Sequence, residues 1–240
     1  MNFVIPMAGR GQRFIDAGYD VPKMLIKAKG KTLLEWSVDS LPLDLCETLI
    51  FILLKEHQQD HQLIEFIKSK YHGPYDLQFV QLDEVTRGQA ETVLKAKELL
   101  NLKTDLLIFN IDTAFSSASL ISNLLDEDCD GVLGAFLDAS DSTKYSYAKL
   151  DENENVVEVA EKVHISNNAL TGLYHFKRAD DFIRIAEQHI KHQRTSKGEF
   201  YIAPMYNDLI SEGKIFKLDV INTIHVLGTP AELNQFLETE

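Results

Sequence analysis

Between Glu47 and Leu54 the chain reads ETLIFILL, an apolar run with nothing to face water beyond its first two residues. Such a strand is buried on both faces, as in a parallel sheet, and differs from the half-exposed alternation of many antiparallel strands. The same kind of run recurs. Phe3-Val4-Ile5-Pro6-Met7 reads as a first strand, Asp76–Leu82 as a third, Asp105–Ile111 (DLLIFNI) as a fourth and Gly131–Leu137 as a fifth. Between these runs, apolar residues fall at helical spacing over Lys31–Leu41, Glu56–Tyr71, Gln89–Leu100 and Ser119–Leu125. Four strand–helix units in succession imply right-handed crossovers and a largely parallel sheet. The pattern then changes. Tyr145–Leu150, Val156–Glu161 and Leu170–Phe176 are strands joined by turns such as Asp151-Glu152-Asn153-Glu154-Asn155, which favours antiparallel pairing beside the parallel core. Helices follow at Ala179–His192 and Pro204–Ser211, strands at Ile215–Ile221 and Thr223–Val226, and a last helix at Pro230–Leu237 with Pro in its first turn. No repeat or linker interrupts the 240 residues, so one domain fits best.

The first strand breaks into Ala8-Gly9-Arg10-Gly11-Gln12-Arg13. Glycine lets backbone N–H groups turn toward a ligand with no Cβ in the way, which suits a phosphate. Lys23, ten residues after Arg13 and preceded by Pro22, adds a cation. Residues 1–31 hold six Lys/Arg against two acids, whereas the other 209 residues sum to −17. A positive island in so acidic a chain is a candidate polyanion pocket. Two familiar phosphate loops are excluded. The dinucleotide fingerprint needs a small residue where Phe14 stands, and the Walker loop needs glycine where Leu25 stands.

With 45% apolar and 25% charged residues the chain has ordinary globular composition, and a net charge of −13 argues against nucleic acid as a general partner. Cys46 and Cys129 lie near apolar segments with no CxxC spacing, so they read as buried thiols of a cytoplasmic protein and not as a disulfide or a zinc site. No apolar stretch approaches the ~18–20 residues of a membrane span, and the N-terminal run is too short for a signal peptide. His57, His61, His189 and His192 fall on expected exposed helix faces. In a doubly wound sheet ligands sit beyond the carboxyl ends of the strands. The Gly-Arg loop follows strand one and Asp112 follows strand four, so both are expected at one edge. A carboxylate there can hold Mg²⁺ between phosphate oxygens, since that ion takes one or two carboxylates plus phosphates.

Strand, Gly-Arg loop and Pro-Lys, in that order, resemble the nucleotidylyltransferases that make sugar nucleotides from a nucleoside triphosphate and a sugar 1-phosphate. The resemblance runs nearly the whole length. Gly88-Gln89-Ala90-Glu91-Thr92-Val93 is similar to the family's nucleobase motif, and Asn110-Ile111-Asp112 to the strand end that supplies its metal ligand. Tyr145-Ser146-Tyr147 stands where Tyr-Gly is usual, Glu161-Lys162 matches a pair that touches sugar and phosphate, and Ser166-Asn167-Asn168 with Thr171-Gly172-Leu173 is similar to the acceptor-side motif. Lys197-Gly198-Glu199 replaces Arg-Gly-Glu, and Gly228-Thr229-Pro230 closes the series. Each motif is weak alone; the order and spacing together are specific.

The resemblance implies a single-domain, Rossmann-like three-layer α/β/α fold with a mixed, mostly parallel sheet and a small antiparallel acceptor-side subregion. Its nucleotide side would span roughly 1–130 and its acceptor side roughly 131–240. It implies Arg13, Lys23 and Asp112 as the catalytic residues, with Met7, Ala8, Gly9, Arg10, Gly11, Gln81, Gly88 and Gln89 around the nucleotide. Ser146, Glu161, Lys162, Asn168, Gly172 and Lys197 would hold the acceptor, and Mg²⁺ would sit on Asp112. The second metal ligand is open: many relatives have Asp where Val226 stands, leaving His225 as ligand or pocket wall. The implied reaction is attack of an acceptor phosphate on the triphosphate, with pyrophosphate leaving and no general base, in surface polysaccharide or related biosynthesis. The base, weakly a pyrimidine, the acceptor and the oligomeric state are not readable. Short-chain members act on sugar 1-phosphates, but some take other acceptors, so a cytidylyltransferase acting on phosphocholine or a phosphorylated amino acid is an alternative. A nucleotide-sugar-using glycosyltransferase, which usually presents Asp-x-Asp where Asn110-Ile111-Asp112 stands, and a non-catalytic relative are the competing classes.

Overall fold

The first strand shows why the sheet is covered on both sides. In the computed structural model, which describes residues 1–140 and 142–239, β1 (Asn2–Pro6) sends Val4 into one core and Phe3 and Ile5 into another, all three out of reach of solvent. After it come α1 (Gln12–Asp16), the hairpin of β2 (Lys27–Ala28) and β3 (Lys31–Thr32), and α2 (Leu33–Val38). Then follow β4 (Thr48–Leu54), α3 (Lys55–His61), α4 (Leu63–Lys70), β5 (Asp76–Leu82), α5 (Gln89–Leu94) and β6 (Leu106–Phe109). The chain continues through β7 (Thr113–Ser116), α6 (Leu120–Leu124), β8 (Gly131–Leu137), β9 (Ser146–Leu150), β10 (Val156–Glu161) and β11 (Asn168–Phe176). It ends with α7 (Ala179–Lys191), α8 (Tyr206–Ser211), β12 (Phe216–Val220), β13 (Thr223–Val226) and α9 (Pro230–Glu238).

The main sheet runs β10-β9-β11-β6-β1-β4-β5, with β8 pairing β11 and β12. The stretch β6-β1-β4-β5 is parallel, as the both-faces-buried runs required. β11 lies antiparallel to β6, β8 and β9, and β9 antiparallel to β10, which is the change of pattern expected after residue 140. One face is covered by apolar side chains of α5, α7 and α8, among them Val93, Phe182 and Leu209; the other by those of α2, α4 and α6, among them Leu34, Ile67 and Leu124. A third cluster joins Phe14, Ile26, Leu33, Leu227, Leu233 and Phe236. α1 has five residues, too few to persist alone. Burial of Phe14, worth about 1.5–3 kcal/mol, holds it in place.

Several local expectations are revised. Lys31–Leu41 is not one helix: Lys29 and Gly30 take positive φ and turn β2 into β3, and Thr32 then caps α2 in a capping box with Glu35. Glu56–Tyr71 is broken at Gln62 (φ 49°), where the Gln58 side chain accepts from the Ile64 N–H and starts a second helix. β7 and its antiparallel partner β13 form a separate ribbon that the sequence did not announce for residues 113–116. His57 and His189 are buried, not exposed; the α3 and α7 faces that carry them pack inward. Since β1 and β6 are adjacent and parallel, the segments that follow them leave the sheet at the same edge.

Candidate functional site

At that edge a cleft of about 420 Å³ is lined by Pro6, Met7, Ala8, Gly9, Gly11, Lys23, Val85, Thr86, Gly88, Gln89, Asn110, Asp112, Glu199 and Tyr201. Its floor depends on close backbone approach. Gly11 sits at φ 69°, and a Cβ there would come 3.0 Å from Cβ of Lys23, so the glycine lets the Pro22-Lys23 turn close on the loop. Met24, next in chain, is buried in the core and fixes that turn. The Lys23 ammonium is thereby held 3.2 Å from Asp112 Oδ2; the lysine side chain is 12% exposed and the carboxylate 40%. Across the cleft Gly88 (φ 145°) packs so tightly that a Cβ would lie 2.5 Å from the Phe200 nitrogen. Two backbone bonds fasten the loop there, Phe200 N–H to Arg87 O (3.0 Å) and Ala90 N–H to Phe200 O (2.9 Å). The Gln89 side-chain amide donates to Asn110 Oδ1.

A second cleft, of about 650 Å³, adjoins the first and shares Asn110, Asp112 and Tyr201 with it. Its walls include Arg13, Thr113, Lys144, Tyr145, Ser146, Glu161, Lys162, Gly172, Val226, Gly228 and Glu232. The β9–β10 register sets Ser146 opposite Glu161, and the serine hydroxyl donates to the carboxylate. Burial pushes the Glu161 carboxyl above its ordinary range, against the pull of Ser146 and Lys162. Lys162 leaves β10 at φ 54°, and its ammonium donates to the Tyr201 hydroxyl at 2.6 Å and lies 3.8 Å from Glu161. Gly172 (φ 88°) lets β11 pass close to Asn110, whose Nδ2 would be 2.5 Å from any Cβ at that position.

Of the residues expected from the sequence, Met7, Ala8, Gly9, Gly11, Lys23, Gly88, Gln89 and Asp112 come together in the first cleft. Arg13, Ser146, Glu161, Lys162 and Gly172 join Asp112 in the second. Five do not line either cleft. Arg10 points outward to Glu56, and Gln81 lines a neighbouring groove along β5 and α5. Asn168 donates to Ala148 O and so ties β11 to β9, and Lys197 stands exposed at a turn with φ 50°. His225 is on the wrong side of its strand for a ligand shared with Asp112: β13 alternates, so Val226 faces the second cleft while His225 packs on Phe236 and lines a separate cavity with Trp36. Asp219 is buried, accepts from Ser119 and Asn123, and lines neither cleft. Sequence reasoning missed Tyr201, Lys144 and Glu232. Tyr201 had no signal, because a tyrosine beside Phe200 reads as core.

Residues 3–214 match the family model described as nucleotidyl transferase. The chain is 33% identical to the nucleoside-diphosphate-sugar pyrophosphorylase of Vibrio cholerae RC9, whose structure superposes with a TM-score of 0.85 over 99% of this chain and 100% of that one. It is also similar to the bifunctional protein GlmU of Methanococcus aeolicus, at 21% identity over 236 residues, and of Methanocaldococcus jannaschii, at 23% over 247. Those matches cover 97% and 99% of this chain but 53% and 54% of the relatives, so the chain spans about half the length of the curated relatives it matches. By the extent of these matches and the two-cleft site beyond β1 and β6, the chain belongs to the nucleotidyl transferase family.

Proposed function

We propose that the chain joins a nucleoside triphosphate to a phosphorylated small molecule, a sugar 1-phosphate, and releases pyrophosphate. One observation carries this reading: Asp112 borders both adjoining clefts, with Lys23 paired to it in the first and Arg13 lining the second. The first cleft is the nucleotide side, with the loop at residues 7–11 against the phosphates and the Gly88-Gln89 loop against the base. The second is the acceptor side. The division by sequence near residue 130 is only approximate, because Glu199 and Tyr201 reach the first cleft and Arg13 and Asp112 the second. The name of the Vibrio cholerae relative, a nucleoside-diphosphate-sugar pyrophosphorylase, supports a sugar as the acceptor's body.

The chemistry follows from repulsion. An acceptor phosphate oxygen attacks the α-phosphorus in line, the bond from that phosphorus to its bridging oxygen breaks, and pyrophosphate leaves with the electron pair. The attacking oxygen is already ionised at neutral pH, so the residues have no proton to remove. Their work is to bring two polyanions together and to hold charge where it develops. Lys23, pre-set by Asp112, faces the α-phosphate; Arg13, exposed on α1 and lining the second cleft, adds positive charge where the acceptor phosphate comes in. Among the described residues no three His, Cys, Asp or Glu side chains gather into a metal cage. A part-exposed carboxylate at a phosphate site is instead a donor that Mg²⁺ takes when substrate oxygens and water complete its shell, and Asp112 fits that description. Bound there, the ion would supply charge neutralisation for the phosphates.

Pyrophosphate release, measured over a panel of the common nucleoside triphosphates crossed with sugar 1-phosphates, phosphocholine and phosphorylated amino acids, tests the reading. Release with one pairing names both substrates. Absence of release with every pairing, or consumption of a nucleotide sugar instead, overturns it.

A further inference from the structure

Tyr201 is one of three residues common to both clefts, and the other two, Asn110 and Asp112, belong to one strand end. It therefore borders the junction of the two clefts. Its backbone is fixed by its neighbour: Phe200 exchanges hydrogen bonds with Arg87 and Ala90, its ring lies 5.0 Å from the Arg87 guanidinium, and Gly88 leaves no room for it to shift. On the cleft side Tyr201 holds Lys162 in two ways at once. Its hydroxyl accepts from the ammonium at 2.6 Å, and its ring centroid lies 4.6 Å from the same nitrogen. A free lysine samples many rotamers, and each rotatable bond frozen on binding costs affinity. Lys162 has that cost removed beforehand. Burial alone would lower its pKa, but the Tyr201 hydroxyl and Glu161 more than offset this, and the ammonium stays charged.

We infer that Tyr201 is a positioning residue: it fixes the Lys162 ammonium at the junction of the clefts so that Lys162 meets the anionic group of the acceptor. This rests on the proposed division of the clefts. Tyr201→Phe separates the two contacts, since the ring stays and the hydroxyl goes, and the half-buried site accepts a residue of the same shape. Tyr201→Leu removes both.

The first measurement needs no turnover. Lysines are acetylated with an N-hydroxysuccinimide ester, with and without inorganic phosphate, and modification is read residue by residue by mass spectrometry. In the unaltered protein phosphate slows labelling of Lys162 several-fold. In Tyr201→Phe the protection falls by half or more, in Tyr201→Leu it is lost, and the exposed Lys103 is unaffected throughout. Equal protection of Lys162 in all three proteins, or none in the unaltered one, overturns the inference. In steady-state kinetics, Tyr201→Phe raises the acceptor KM about tenfold, as expected for a charge-assisted hydrogen bond, with nucleotide KM within twofold of normal. The penalty disappears in a Lys162→Ala background. An equal rise in both KM values, or a full penalty without Lys162, marks Tyr201 as merely structural and overturns the inference as well. A protein that shows the phosphate protection but releases no pyrophosphate with any pairing retires the reaction and keeps the positioning role.

Discussion

At the scale of single residues, the proposed site rests on two cations whose surroundings differ. Lys23 is nearly buried and pre-paired with Asp112, whereas Arg13 is exposed on a five-residue helix held by Phe14. Lys23→Ala and Arg13→Ala are each expected to lower turnover by ~10²-fold or more, the size of a lost charge-stabilising contact in a transition state. Neither should unfold the chain, because Asp112 is 40% exposed and remains hydrated without its partner. Pyrophosphate-release rates and circular-dichroism melting check both halves; near-normal rates in both variants reject the assignment. These residues were legible because glycine, arginine and Pro-Lys at fixed spacing constrain a backbone whatever surrounds it. His225 was not. On a strand a one-residue difference in phase sends a side chain to the opposite face, and nothing in Thr223–Val226 told which residue would face the cleft. Arg10 and Arg13 posed the same problem, since the sequence does not separate the one that turns to Glu56 from the one that lines the second cleft.

At the scale of elements, the segment that opens α5 is set by what Gly88 lacks. A Cβ there would meet Phe200 N at 2.5 Å and Phe200 O at 2.7 Å, both backbone atoms that cannot rotate away, and φ is 145°. Gly88→Ala is expected to cost about 1–3 kcal/mol, as overpacking does, and to raise nucleotide KM by displacing Gln89. Denaturant melts beside nucleotide titrations check it, and unchanged values in both would show that the clamp at Phe200 yields freely. A second joint fastens α7 to α8 through Asp208, which receives the Arg194 guanidinium at 2.8 Å and the His189 ring. Burial raises the Asp208 carboxyl, but His189 and Arg194 together outweigh it and hold it below the usual carboxylate range. A depressed folded-state pKa gives stability that is fully present above the unfolded value of about 4 and is lost as pH falls from there through the folded value. Asp208→Asn is therefore expected to be about 1 kcal/mol less stable at pH 7, with the difference closing only below about pH 4. A gap that narrows already between pH 7 and 5 would assign the effect to another group. Neither joint was readable beforehand: His189 looked like a surface residue because the helical period gives a face, not what will pack on it.

At the scale of the whole molecule, the change from parallel to antiparallel strands is what builds two clefts and not one. β6, β1, β4 and β5 put the loops that follow them at a common edge, and β11, inserted antiparallel beside β6, brings β9 and β10 with Ser146, Glu161 and Lys162 to the same side. The alternation of strands and helices made the parallel half legible and the turn-rich stretch after residue 140 the antiparallel half. The crossing of segments between halves was not legible, because Tyr201 and Arg13 reach their clefts by tertiary packing. Such crossing has an energetic consequence. A ligand in the first cleft touches the loop after β1, the end of β6, the Gly88 loop and the 199–201 segment at once, so it binds only the assembled fold. A ligand at about 100 times its Kd then adds about 2.7 kcal/mol to stability, and for a chain of this length each kcal/mol raises Tm by about 2–4 °C. The cognate nucleoside triphosphate with Mg²⁺ is accordingly expected to raise Tm by about 5–10 °C, and the same concentration of sulfate with Mg²⁺ by far less. Omitting Mg²⁺ should reduce the nucleotide shift, since the triphosphate then meets Asp112 with its charge unscreened. Differential scanning fluorimetry with each triphosphate in turn decides the matter. A Tm that ignores every triphosphate at millimolar concentration would mean that the first cleft does not take a nucleotide, whatever the family likeness.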